Sequence, residues 1–232
     1  MQNKFPISGI ILAGGKNSRF NGQKKTFLSV GTESIFNRIY SVMNIFFDDL
    51  LVVTRSPEFF LKWDINIVND VYTQHSPLNG IYSALFFARH PQIFVTACDT
   101  PFISARLIEY MCSSYDPKCD VYMPSTKKGD EPLCAIYSRR CLNRFKSRLN
   151  SERCKIIKCF NGLNVCTIDD NTLRSKDIQR HSFFNINTFE DLSCANRLIN
   201  ELKSKEDKNE TYHLRQKQNE EVYTSNIGKY KK

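Results

Sequence analysis

"ISGIILAGGKNSRFNGQKK", residues 7–25, joins a short, mostly apolar run to a loop that opens on Gly14-Gly15 and carries Lys16, Arg19, Lys24 and Lys25. A brief apolar run bounded by glycine reads as a buried strand. A parallel strand ending in Gly-Gly brings its chain to the carboxyl edge of the sheet, where open α/β folds bind their ligands. Glycines there allow positive φ and leave N–H groups free to face phosphate oxygens. Arg19 then offers a planar fork and Lys25 a movable point charge against a polyanion such as a triphosphate. The G-x-x-x-x-G-K-[ST] phosphate loop is absent, so on spacing alone an ordinary surface loop is an equal reading.

Outward from this stretch, strand-like runs alternate with helical patterns. "DLLVVT" (49–54), "INIV" (65–68) and "IFVTAC" (93–98) read as buried strands. "ESIFNRIYSVMNIF" (33–46) and "NGIYSALFFARH" (79–90) space apolar residues by three and four. Such alternation predicts βαβ units and a mostly parallel sheet covered on both faces, a three-layer, Rossmann-like α/β domain. Beyond residue 118 the strand-like runs are "CDVYMP", "EPLCAIYS" and "LNVCTI", and "RRCLNRFKSRL" reads as a helix. "NTFEDLSCANRLINEL" (187–202) closes the domain as an amphipathic helix, with Thr188 and Asp191 spaced as a loose capping box. Residues 1–202 are therefore expected to form the domain, and 203–232 a polar tail outside its core.

The 232 residues suit one α/β domain, and the net charge of +9 is scattered without a nucleic-acid motif. That argues against nucleic acid as the expected partner and favours a small polyanionic substrate or simply a basic solvated surface. Nine cysteines form no C-x-x-C pair, and the histidines lack zinc spacing. Cys98, Cys134 and Cys166 sit in apolar runs, where a free thiol acts as a small hydrophobe. An odd count with no export signal and no membrane-length segment leads to the expectation of a cytoplasmic protein.

Several segments together resemble the nucleotidyltransferase family that includes molybdenum cofactor guanylyltransferase. "LAGGKNSRFNGQKKTFL" (12–28) is similar to its L-A-G-G signature, and "NDVYTQHSPLNGIYSAL" (69–85) to its Asp followed by G-P-L-x-G-I-x-x-A-L. "VTACDTPFI" (95–103), "EPLCAIY" (131–137) and "FFNINTFEDL" (183–192) resemble its later motifs in order and spacing. The likeness spans roughly residues 7–200. This chain departs from the pattern at Asn21, Ser76 and Phe189, and Arg55 stands where the family often has Asn near the guanine. Lys24 and Lys25 both fit the motif lysine; the following "TFL" favours Lys25.

The resemblance implies transfer of GMP from GTP to the terminal phosphate of molybdopterin, with Mg²⁺ as cofactor and pyrophosphate as second product. It implies Arg19, Lys25 and Asp99 as catalytic residues and Asp99 as the metal ligand. It implies Leu12, Ala13, Gly14, Gly15, Lys25, Arg55, Asp70, Gly80 and Asp99 as the nucleotide site. Molybdenum-insertion or acceptor enzymes are the implied protein partners. The residues themselves allow simpler roles. Asp99 directly follows a strand, where a hard carboxylate can hold Mg²⁺ or cap a helix over 103–113. Asp70 can be a turn residue, Gly80 a close approach or a helix cap, and His75 an exposed loop residue or part of the site wall. Asn185 and Asn187 point to one side of an extended segment and suit a second substrate; Asn187 can also cap the last helix. The alternatives are a relative using CTP or a sugar phosphate, and a catalytically silent nucleotide-binding protein.

Overall fold

The computed structural model of the chain describes residues 4–14, 19–20, 23–151, 155–175 and 180–202. Gly15, the side chain of Arg19 and the proposed tail 203–232 lie outside the described residues.

Eight strands form one sheet: β1 (Ser8–Leu12), β2 (Leu50–Val53), β3 (Asn66–Val68), β4 (Gln92–Ala97), β5 (Val121–Thr126), β6 (Gly129–Asp130), β7 (Cys134–Ser138) and β8 (Val165–Asp169). β1 pairs in parallel with both β2 and β4, and β2 with β3. β7 lies antiparallel between β4 and β5, and β8 runs parallel to β5. Tyr122 faces both Ile136 and Cys166, and Ser125 both Asp130 and Asp169, so β8 takes the outer side of β5. The order is therefore β3-β2-β1-β4-β7-β5-β8, with only β7 and the short β6 reversed. The expected mostly parallel sheet is present.

Alternation along β1 divides the core. Ile11 faces one layer with α1 (Ile35–Phe46), α3 (Ala105–Ser114) and the helix over 189–202. Ile10 and Leu12 face the other, with α2 (Pro77–Phe87) and α4 (Leu142–Asn150). Apolar residues on both faces of the strands require helices on both sides, which makes the three layers.

Helix starts follow local chemistry. The Ser34 hydroxyl accepts from the Asn37 N–H, and the Ser76 hydroxyl from the Asn79 N–H, with Pro77 as first residue of α2. The departure at Ser76 thus supplies a cap. At 188–191 the capping box is reciprocal: Thr188 Oγ1 accepts from the Asp191 N–H at 3.1 Å, and Asp191 Oδ2 from the Thr188 N–H at 2.8 Å.

Three expectations are corrected. Gly14 does not use the left-handed region, unlike Gly31, Gly129 and Gly162. Gly80 neither precedes nor caps α2 but lies within it; a Cβ there meets Leu12 Cδ2 at 3.1 Å, so glycine lets α2 sit close on β1. Cys166 is not a free thiol: the parallel register of β8 on β5 brings it within disulfide reach of Cys119, with Cα atoms 5.9 Å apart. No helix among the described residues is long and apolar enough to cross a membrane.

Candidate active site

Strand order reverses at β1: β2 and β3 lie to one side, β4 to the other. Helices on opposite faces diverge there and leave a crevice beyond the carboxyl ends of the strands. The four ends are held level by backbone bonds from Ala13 N to Val53 O, Thr54 N to Val68 O and Cys98 N to Leu12 O. A cleft of about 240 Å³ opens above them. Its floor is Leu12, Gly14, Val53, Ala97 and Cys98; Lys25, Asp99 and Asn187 stand at the β4 side, Asp70 and His75 at the β2–β3 side. Gly14 keeps the floor open, since a Cβ there has no neighbour nearer than Asp70 Oδ2 at 3.9 Å.

Lys25 is buried, at 6 % exposure, and its Nζ donates to Asp99 Oδ2 and Asn187 Oδ1, each at 2.8 Å. Three segments distant in sequence converge on that ammonium. Lys25 opens a single turn over Lys25–Phe27, whose Phe27 packs among Phe36, Phe59, Phe60 and Trp63. Next to it Thr26 is buried and donates to Cys98 Sγ at 3.2 Å, which ties the lysine turn to the residue preceding Asp99. Burial pushes the Cys98 thiol up to about 11, with the Asp99 charge adding to the effect, so it is an inert packing group. Asn187 arrives because Ile186 is fully buried and its N–H donates to Asp99 O at 3.0 Å. Asp191, lowered in pKa chiefly by the Asn187 and Thr188 N–H groups, fixes the backbone beyond. Lys24 points elsewhere, its Nζ 3.8 Å above the Phe59 ring.

The opposite wall is the segment 70–76. Asp70 Oδ2 accepts from Arg55 Nε at 2.7 Å, and the rest of the guanidinium holds His75 and the carbonyls of Tyr72, Thr73 and Gln74. Arg55 therefore does not line the cleft as expected, because its donors are taken by the loop. Of the remaining expected residues, Leu12, Gly14, Lys25, Asp70, Gly80, Asp99 and Asn187 border the cleft. Ala13 is buried beside it, and Asn185 is exposed away from it, 3.5 Å from Phe183 O. Sequence reasoning passed over Asn79, which is fully buried and binds Tyr72 and Gln74 from within the protein. Its signal was local: the third residue of a helix opened by Ser-Pro.

Hard oxygen donors meet the cleft at Asp99 and Asn187, and among the described residues no cluster of three or more His, Cys, Asp or Glu forms a closed metal cage. A sparse oxygen set of this kind suits Mg²⁺, which keeps waters and takes phosphate oxygens as its other ligands.

The MobA-like NTP transferase domain model matches residues 9–158. A molybdenum cofactor guanylyltransferase from Desulfosudis oleivorans is 37 % identical over 83 % of this chain and 96 % of its own length. The crystal structure of molybdopterin-guanine dinucleotide biosynthesis protein A from Archaeoglobus fulgidus superposes with a TM-score of 0.74 at 24 % identity, covering 84 % of this chain and all of that one. A Mycobacterium tuberculosis protein solved in complex with manganese shares the fold at a TM-score of 0.58 and 13 % identity, over 84 % of this chain and all of that one. With its glycine-ended first strand, its crevice at the reversal of strand order and these matches, the chain belongs to the MobA-like NTP transferase family of nucleotidyltransferases.

Proposed function

We infer that the protein transfers GMP from GTP to the terminal phosphate of molybdopterin, forming the guanine dinucleotide cofactor and pyrophosphate. The observation that carries the reading is the junction of Lys25, Asp99 and Asn187 at one end of a switch-point cleft whose other end is walled by Asp70 and His75. It suits a triphosphate at the β4 side and a nucleoside at the β2–β3 side. Its similarity to molybdenum cofactor guanylyltransferases supplies the guanine and the acceptor.

In the reaction, an oxygen of the molybdopterin phosphate forms a bond to the α-phosphorus of GTP. The bond from that phosphorus to the β-bridging oxygen breaks, and pyrophosphate departs with its electrons. The attacking oxygen is already anionic, so no general base is required. Mg²⁺, when bound, neutralises the triphosphate and makes its α-phosphorus more electrophilic. Asp99 would hold that ion. Lys25 brings a cation into a largely desolvated position, where it stabilises charge developing towards pyrophosphate. Asn187 fixes the direction of the ammonium, and Asp70 presents a carboxylate acceptor to the nucleoside. Arg19 and Gly15 would complete the phosphate side. Use of GTP fits a cytoplasmic setting, with an acceptor enzyme taking the product.

The test is incubation of the protein with Mg²⁺, molybdopterin and each nucleoside triphosphate in turn, with product masses measured. Guanine dinucleotide and pyrophosphate in equal amounts are expected. A cytosine dinucleotide instead, or no dinucleotide from GTP, overturns the assignment.

A further inference from the structure

The wall at residues 70–76 is built with more hydrogen bonds than a surface loop needs. From inside, Asn79 Nδ2 donates to Tyr72 O at 2.6 Å and Gln74 O at 2.9 Å, its Oδ1 accepts from Tyr72 N at 3.2 Å, and Ser83 Oγ accepts from Val71 N at 2.8 Å. From outside, Arg55 Nη2 donates to Tyr72 O at 3.1 Å, Thr73 O at 2.8 Å and Gln74 O at 3.1 Å. Arg55 Nη1 then meets His75 Nε2 at 3.0 Å.

That last contact settles the chemistry of His75. A guanidinium carries only donors and stays protonated, so in this contact the imidazole nitrogen must be the acceptor. His75 Nε2 therefore bears a lone pair, and the proton of the neutral ring resides on Nδ1. An imidazolium here would set N–H against N–H. The ring belongs to the cleft lining, beside Asp70, whose Oδ2 is engaged by the same guanidinium. The wall thus carries an acceptor, the Asp70 carboxylate, and a donor, the imidazole N–H of the cleft-lining His75.

We propose that His75 is a nucleobase-contacting residue that donates through Nδ1–H, and that Arg55 is the positioning residue that sets this tautomer while clamping the 70–75 wall. The proposal rests on the reading of the cleft as a GTP site. An acceptor beside a donor complements one edge of guanine, where N1–H adjoins the 6-oxo group. The N–H of His75 is assigned to that 6-oxo oxygen. Adenine presents an amino group at this position and is opposed.

Nitrogen-15 NMR of the His75 imidazole in the intact protein reads the tautomer without turnover, and GTP kinetics with three variants read the contact. The wild-type ring is expected as the Nδ1–H tautomer, and Arg55→Leu as a mixture of the two. His75→Asn places an amide N–H near the Nδ1 position and should keep KM for GTP within about threefold of wild type. His75→Leu should raise KM about tenfold with kcat unchanged, the loss of one net hydrogen bond. His75 is exposed, so neither of its variants threatens the fold, and Arg55→Leu is checked by thermal melting. An Nε2–H ring in the wild type, or equal KM for the Asn and Leu variants, overturns the proposal even when GTP is the substrate. Failure of the wild-type protein to bind GTP overturns the functional reading first, and the base contact with it, whatever tautomer the ring shows.

Discussion

Replacing Lys25 by Met is the sharpest perturbation the site permits, because it removes one charge and keeps most of the buried stem. The ammonium makes two 2.8 Å bonds, one to a carboxylate, at 6 % exposure. A hydrogen bond to a charged group contributes about 1.5–3 kcal/mol. The Asp99 side chain keeps 24 % exposure, so water rehydrates its freed oxygen and the stability loss falls near the low end, about 1–2 kcal/mol. That lowers the melting temperature by a few degrees and leaves the fold populated at room temperature. Turnover should fall much further. Removing one preorganised electrostatic group from a desolvated site costs about 10²–10³ in kcat. Pyrophosphate release at saturating GTP, read beside a thermal melt, separates the two effects. Lys24→Met loses a cation–π contact with Phe59, worth about 0.5–1 kcal/mol, outside the cleft, and turnover should stay near wild type. A Lys25→Met enzyme within threefold of wild type, or a larger loss from Lys24→Met, refutes the placement of charge argued above.

Asp99→Asn should cut turnover about a hundredfold or more while the melting temperature stays within a few degrees, and Mn²⁺ titration by EPR should show the metal site weakened; unchanged metal affinity would assign the ion to another group. Stability should decline in alkali. Burial raises the Cys98 thiol from 9.0 to about 11 and, with the Asp120 charge, Cys141 to about 12, so the folded state keeps protons that the unfolded chain releases. The contribution of Cys98 is whole below pH 9 and is lost between there and about 11, at about 1.4 kcal/mol per pH unit; urea midpoints that do not move from pH 8 to 10.5 contradict this. Reducing the Cys119–Cys166 bridge opens a loop of 47 residues and should cost about 3–4 kcal/mol in urea unfolding with and without reductant.

Taken alone, the sequence already determined the layers of this protein. Apolar runs such as "DLLVVT" and "IFVTAC", and the three- and four-residue spacing in the segments before each, depend only on neighbours along the chain, and they came out as β2 and β4, with helix α1 ahead of β2 and helix α2 ahead of β4. The Thr188–Asp191 box was legible for the same reason. Tertiary structure decided which strand lies beside which, and therefore where the cleft opens. Nothing local in "EPLCAIYS" says that β7 runs antiparallel between β4 and β5. Lys25 meets Asp99 across 74 residues and Asn187 across 162, contacts that exist only once β1 and β4 are paired and Ile186 is buried. Arg55 shows the division most plainly. Its place after β2 could be read from the pattern, but a guanidinium binds whatever acceptors the fold sets around it, and here these are the Asp70 carboxylate, His75 and three carbonyls of the facing wall.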